Sequence, residues 1–300
     1  MNANSKSGDN ALDGEQSDPL PFLMDHLPEA FSRKAEMELH ETLEKKFESL
    51  INLRKMIKGE KTLQNIDFHH DFLRQFLRGS KHDVQKAFSV LKNFVYNMKN
   101  SSLFAPMTDE AFEKVKQAGI VKLLPKRSPE GCVVIIAKYA NWNPSEISMI
   151  ELNQFIIMAM QECLRDQMTQ INGMVCIHDW KDMSYGYFRH FTPRYLHNFV
   201  NAFFRCIPIR YKSINSINHP APVKFMWAIL RTILTEKMRK RFVFHSHPKD
   251  ILEHIPATVI PEEYGGLLKE ELYETTMSNW LTDAFKYQKQ CPLGGQSNYY

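Results

Sequence analysis

No CxxC pair occurs among the five cysteines, Cys132, Cys163, Cys176, Cys206 and Cys291, and their number is odd. Neither a zinc knuckle nor a disulfide framework is legible, which fits a reducing cytosol. Four of them lie inside apolar segments, as buried free thiols do. Long hydrophobic runs are also missing. The longest, such as 132–137 and 155–159, fall far short of the roughly 20 residues that span a bilayer. Residues 1–18 are polar and rich in Gly, Ser, Asn and Asp, with no apolar stretch of the kind a secretory signal needs. The chain is expected to be soluble and cytoplasmic. Charge of one sign is not in excess either: 38 Lys and Arg against 34 Asp and Glu leave a formal +4, too mild to imply a nucleic-acid partner. There is no GxGxxG, no GxxxxGK[ST] and no GxSxG, so dinucleotide, P-loop and nucleophile-elbow readings are excluded. No internal repeat is found.

What is present is a globular balance, 43% hydrophobic and 24% charged, in 300 residues, enough for one large domain or two modest ones. Twenty Phe and fifteen Met are generous. They serve an ordinary Phe-rich core with Met as filler. They serve equally the wall of a cavity that adapts to a bulky apolar guest.

Residues 1–20 read as a disordered tail. Over 29–59 the pattern is helical, with Met37, Leu43, Phe47, Leu50 and Leu53 spaced for one buried face. Further helices cover 68–78, with Phe72, Leu73, Phe76 and Leu77 inward, and 83–99, with Ala87, Val90, Leu91, Phe94 and Val95 inward. Then the character changes. The run CVVIIA at 132–137 suits a strand buried on both faces. Asn143-Pro144-Ser145-Glu146 offers a helix cap, and the spacing predicts one helix over 144–170, stopped by Asn172-Gly173. Strands are predicted over 174–177, 213–217 and 241–245, and helices from Thr192-Pro193 to 206 and from Pro220 to 238. This alternation predicts an α/β fold with a mostly parallel sheet and flanking helices, after an N-terminal helical bundle. The expected units are a tail at 1–20, the bundle at 21–103, the α/β domain at 104–285 and a flexible tail at 286–300.

Few residues suggest catalysis. His178-Asp179 ends a predicted strand, but adjacent strand residues point to opposite faces and form no dyad. His69-His70 and His245-x-His247 are possible metal ligands without the pattern of a known site. No metal and no catalytic residue is therefore expected, and an enzyme acting through His178, Asp179 and Tyr185 is the weakest class. Two other features carry more. Val223, Met226, Trp227, Leu230 and Leu234 form one apolar stripe, which suits a plain core-covering helix. Lys237, Arg239, Lys240 and Arg241 follow directly, with Arg210 and Lys212 earlier.

Several segments, in order and at matching spacing from about 66 to 285, resemble the CRAL-TRIO family. They are Phe72-Leu73-Arg74-Gln75-Phe76-Leu77-Arg78, Tyr139-Ala140-Asn141-Trp142-Asn143-Pro144, Asn172-Gly173 with the strand ending in Asp179, and Phe191-Thr192-Pro193. Ile207-Pro208, Ser216-Ile217-Asn218-His219-Pro220, Leu234-Thr235-Glu236-Lys237 and Ile260-Pro261-Glu262-Glu263-Tyr264-Gly265-Gly266 continue the series. The family usually carries Asp-x-x-Gly where Asp179 is here followed by Trp180-Lys181-Asp182. Ile156 and Met160 stand where its tocopherol-binding members place small polar residues.

The resemblance implies a helical lid, the striped helix, over an apolar cavity that holds one lipid of tocopherol or retinoid kind. Its implied ligand residues are Phe155, Ile156, Ala159, Met160 and Cys163 on the long helix, and Met174, Cys176 and His178 on the second strand. Met183, Phe191, Phe199, Ala202, Phe203, Ile207, Ile209, Tyr211 and Ile214 follow, with Val223, Met226, Trp227 and Leu230 of the lid. Arg78, Arg210, Lys212, Lys237 and Arg241 match basic positions of a cleft for phosphoinositide head groups. The implied function is a carrier that moves lipid to or from anionic or phosphoinositide-containing membranes, which it touches peripherally and reversibly. A lipid-controlled trafficking adaptor without bulk transfer is the alternative.

Overall fold

The computed structural model describes residues 20–22, 26–272 and 274–290. Residues 1–19 of the expected N-terminal tail, and 291–300 of the C-terminal one with Cys291, lie outside the described residues.

Helix α1 (Glu29–Leu39) stops because His40 adopts a left-handed conformation, φ 61°, and Thr42 then caps α2 (Leu43–Gly59) by accepting from the Lys45 amide. The break overturns the single buried face expected over 29–59. Met37, Leu43 and Phe47 are 77%, 75% and 60% exposed, whereas Leu53 is buried as expected, with Ser49 and Ile57 buried one turn to either side of it. Helix α3 (His70–Gly79) buries Phe72, Leu73, Phe76 and Leu77 as predicted, and buries Arg78 with them. Helix α4 (Val84–Asn100) is capped by Asp83. Helix α5 (Asp109–Ala118) and the three-residue strand β1 (Val121–Leu123) were not expected, the strand being too short to show a period.

Strand β2 (Val133–Lys138) pairs antiparallel with β1. The predicted long helix is two. Asn143 closes only a local turn, accepting from Ser145 N at 3.1 Å. The true capping box is Ser148 with Glu151, so α6 is Met149–Cys163. Asp166 then caps α7 (Gln167–Asn172). Gly173, at φ 87°, leads into β3 (Met174–Asp179), and a Cβ there would stand 1.9 Å from the Arg210 carbonyl oxygen. Asp182, in the turn that follows, holds φ 56°, a left-handed conformation that Asp tolerates better than most residues.

Helix α8 (Pro193–Asn201), capped by Thr192, widens into a π-helical segment, Ala202–Cys206, and leads to β4 (Tyr211–Ile217). Helix α9 is Ala221–Ile233. Leu234 is extended, and Thr235 caps a separate short α10 (Glu236–Arg239) before β5 (Phe242–Phe244). The last helix, α11 (Glu274–Gln290), runs across the boundary expected at 285. The sheet order is β1-β2-β3-β4-β5, with β2 to β5 mutually parallel, so the molecule is an α/β fold preceded by helices. One core runs from α2, α3 and α4 into the sheet, while Ala35 and Leu39 of α1 pack separately on Ile171; Phe112 of α5 stacks on Phe285 of α11 at 4.0 Å. Among the described residues no helix is long and apolar enough to cross a membrane.

Candidate functional site: a covered cavity and a basic ledge

Side chains of a strand alternate between faces, so parallel register aligns whole rows across a sheet. Two such rows face one cavity. Ala137, His178, Ser216 and Phe244 form the row nearer the strand ends, and Ile135, Cys176, Ile214 and Phe242 the row behind it. Helix α6 adds Met149, Leu152, Asn153, Ile156 and Met160, which share one helical face. Helix α8 and its π-helical extension add Tyr195, Leu196, Phe199, Phe203 and Phe204. Val223, Met226, Trp227 and Leu230 of α9 complete the wall. The cavity volume is about 130 Å³. Among the described residues no Lys, Arg, Asp or Glu lines it.

Fourteen of the twenty-one residues implied as ligand contacts are on this wall: Ile156, Met160, Met174, Cys176, His178, Phe191, Phe199, Phe203, Tyr211, Ile214, Val223, Met226, Trp227 and Leu230. Seven are not. Phe155, Ala159 and Cys163 lie one turn apart on the other side of α6, buried in the core, where Phe155 stacks on Phe112 at 5.7 Å. Met183, Ala202, Ile207 and Ile209 are buried in the core away from the cavity. Sequence reasoning missed Tyr139, Asn153, Trp180, Tyr195, Phe204, Ser216, Phe242 and Phe244 among others. The period of two would have found the strand members, had the register between strands been legible.

The polar groups of the wall are few and mostly paired with one another. Tyr139 Oη lies 2.8 Å from His178 Nδ1, and the Tyr139 ring stacks on Trp180 at 4.1 Å. Trp180 Nε1 donates to Ser216 Oγ at 3.0 Å. Asn153 Nδ2 lies 2.9 Å from Tyr195 Oη, and Tyr195 Oη donates to Asn153 Oδ1 at 3.2 Å. Tyr211 Oη donates to the Phe203 carbonyl at 3.2 Å. Burial pushes the His178 imidazole down to about 4 and the Cys176 thiol up to about 12, and it raises Tyr139 and Tyr195 as well. These groups are neutral at pH 7.

Asp179 points the other way. Its carboxylate accepts from Asn218 Nδ2 at 2.7 Å, Tyr264 Oη at 2.9 Å and the Lys181 amide at 3.0 Å, so it holds loops together and does not meet His178. Tyr185 is exposed. His69, His70 and Asp71 bring ligand atoms within 4.8 Å of one another, but Arg74 already donates to Asp71 at 2.6 Å. His245 Nε2 is bonded to Asn215 Oδ1 at 3.0 Å, and His247 is exposed.

The basic residues divide. Arg78 is no part of a surface cleft: it is 1% exposed, donates to both Glu41 oxygens at 2.7 Å, and reaches Gln170 Oε1 at 2.7 Å. A buried guanidinium needs such partners, and they consume its donors. Arg210 donates to Glu38 at 3.1 Å and to the Ile171 carbonyl; Lys212 is 3.9 Å from the same Glu38. Arg241 Nη1 donates to the Lys212 carbonyl at 2.9 Å. Partial burial lowers the Lys237 ammonium pKa, and so do Lys86, Lys81, Arg241 and Arg210 around it. Burial lowers Lys34 likewise, and then Lys212 does. Lys34, Lys81 and Lys86, from the helical N-terminal part, thus join Arg210, Lys212, Lys237 and Arg241 in one positive ledge.

Residues 117–266 match the family described as "CRAL/TRIO domain". The chain is 29% identical over 265 residues to a Mus musculus protein named "Alpha-tocopherol transfer protein-like", covering 87% of this chain and 77% of that one. It is 25% identical over 253 residues to Homo sapiens "Clavesin-2", covering 82% and 77%. The solved structure titled "Crystal structure of Sfh5" superposes with a TM-score of 0.54 at 13% identity, covering 83% of this chain and 97% of that one; it shares the fold.

Proposed function

The chain belongs to the CRAL/TRIO domain family, whose members bind and move lipids and are not enzymes, and from that premise we propose that it carries one tocopherol- or retinoid-like lipid. The lipid occupies the cavity under α9 and passes to or from membranes that display phosphoinositide or other anionic head groups. One observation carries the reading: an uncharged, largely apolar cavity, covered on one side by the apolar stripe of an amphipathic helix. Exposed to water, a lipid loses about 25 cal/mol for each Å² of apolar surface, so release belongs at a membrane. Helix α9 suits a gate for that purpose. Its stripe faces the cavity, while Phe225 on its outer side is 74% exposed and available to a bilayer. The ledge supplies the membrane sensor, since Lys and Arg together suit phosphate groups.

The test has two parts. Lipid extracted from the protein purified from its natural source is identified by mass spectrometry, and absorbance separates retinoids from tocopherols. Transfer of that lipid between vesicles is then timed with and without phosphoinositide. No stoichiometric lipid, or transfer indifferent to vesicle charge, contradicts the proposal.

The adaptor reading draws support from a different place. Met37, Leu43, Phe47 and Ile51 leave apolar side chains exposed on α1 and α2, which suits a protein partner. Capture of a partner by this face, together with an empty cavity on extraction, favours that reading.

A further inference from the structure

The polar groups that the sheet and its following loop bring to the cavity gather near the strand ends, apart from Tyr211 at the start of β4. At the strand-end row, Tyr139, His178 and Ser216 stand together, whereas the row behind them is Ile135, Cys176, Ile214 and Phe242. Within the polar end, Ser216 Oγ receives the Trp180 indole N–H, and His178 Nδ1 meets Tyr139 Oη. Among the described residues Tyr139 Oη has one hydrogen-bond contact, with His178 Nδ1. When Tyr139 donates across it, the one proton of the neutral imidazole sits on Nε2. Asn153, Tyr195 and Tyr211 are occupied with each other or with backbone. His178 is partly accessible even though it lies inside the molecule, because it faces the cavity space.

We infer that Tyr139 donates to His178 Nδ1, that His178 Nε2–H is thereby the head-group donor of the site, and that the lipid it holds is uncharged and carries an oxygen, hydroxyl or carbonyl, seated at the strand-end row. This rests on the carrier reading and narrows it to a ligand class. A carboxylate or phosphate head has no cation to meet on this wall. A pure hydrocarbon leaves the N–H unpaired. The absence of lysine from the wall also means that an aldehyde is held by hydrogen bonding and not as a Schiff base.

The experiment uses the delipidated full chain and matched probes: all-trans-retinol with its deoxy hydrocarbon, octadecanol with octadecane, and stearate as the charged head. Binding is followed by quenching of tryptophan fluorescence. Tyr139 released from His178 would donate in its place, so the decisive variant is His178→Phe with Tyr139→Phe. Wild type is expected to prefer the oxygenated member of each pair by roughly tenfold, the worth of one neutral hydrogen bond. The double variant is expected to lose that preference while still binding the hydrocarbons. His178→Gln, which keeps an N–H in the same region, is expected to retain part of it. All-trans-retinal is expected to absorb at longer wavelength in wild type than in the double variant. A preference that survives the double variant, no preference in wild type, or stearate bound more tightly than octadecanol overturns the inference and leaves the carrier standing. Failure of wild type to bind any of the probes overturns both.

Discussion

Asn218 Nδ2 donates to Asp179 Oδ1 at 2.7 Å, and this bond fastens the end of β3 to the residue that turns the chain toward α9. Asn218 sits at φ 52°, a conformation Asn tolerates better than most residues, and Tyr264 Oη takes the other Asp179 oxygen. Removing the carboxylate leaves buried donors unpaired, at about 1–3 kcal/mol each. Asp179→Ala is expected to destabilise the protein by about 2–4 kcal/mol in urea unfolding. It is also expected to speed lipid release. Asn218→Gly keeps the backbone conformation and loses one bond, so it should cost about 1 kcal/mol.

Glu41 is held by Arg78 and His82, and its carboxyl is pulled down to about 2 despite the burial that opposes ionisation. Arg78 also reaches Gln170 on α7, so this ion pair ties the N-terminal helices to the α/β part. Glu41→Ala strands a buried guanidinium and should cost about 3–5 kcal/mol. Because the folded pKa lies below the unfolded one, the stabilisation is complete above about pH 4.5 and is lost as pH falls toward 2. Denaturant midpoints across this range, with Glu41→Gln as the control, check the sign.

His178 acts in a higher pH window. Its folded pKa of about 4 lies below the ordinary value of 6.5, so the unfolded chain binds the proton first. Stability from this site is complete above about pH 6.5 and declines as pH drops to 4. His178→Phe is expected to flatten the dependence between pH 6.5 and 4, read as urea midpoints at several pH values.

Partial burial, and then the cations Lys86, Lys81, Arg241 and Arg210, lower the Lys237 pKa, and a bound anion opposes that shift. Lys237→Ala with Arg241→Ala removes two cations worth about 1 kcal/mol each at a membrane surface, so affinity for phosphoinositide vesicles should fall about thirtyfold. Vesicle sedimentation at fixed salt measures it. Arg78→Ala is expected to act through unfolding and to leave the salt dependence of membrane binding unchanged. An equal loss of salt dependence in both variants would sink this assignment of roles.

Several elements were readable in the chain because their signals are local. The apolar stripe of Phe72, Leu73, Phe76 and Leu77, the Thr192-Pro193 cap and the fully apolar β2 run each form as predicted. Breaks were harder. The left-handed His40 that ends α1, the Ser148–Glu151 box that starts α6 one turn late, and the extended Leu234 after α9 are choices between competing local signals, settled by packing.

The composition and periodicity of this chain determined by themselves that strands alternate with helices, that Val223 to Leu230 form an apolar stripe and that cations gather around 237–241. Only tertiary structure decided that Ala137, His178, Ser216 and Phe244 share one row, that Arg78 serves Glu41 inside the protein, and that Lys34, Lys81 and Lys86 come to the ledge. The reason is physical. A stripe or a cap depends on residues a few positions apart, whereas register, ion pairing and summed charge depend on groups that the chain brings together from far along its length.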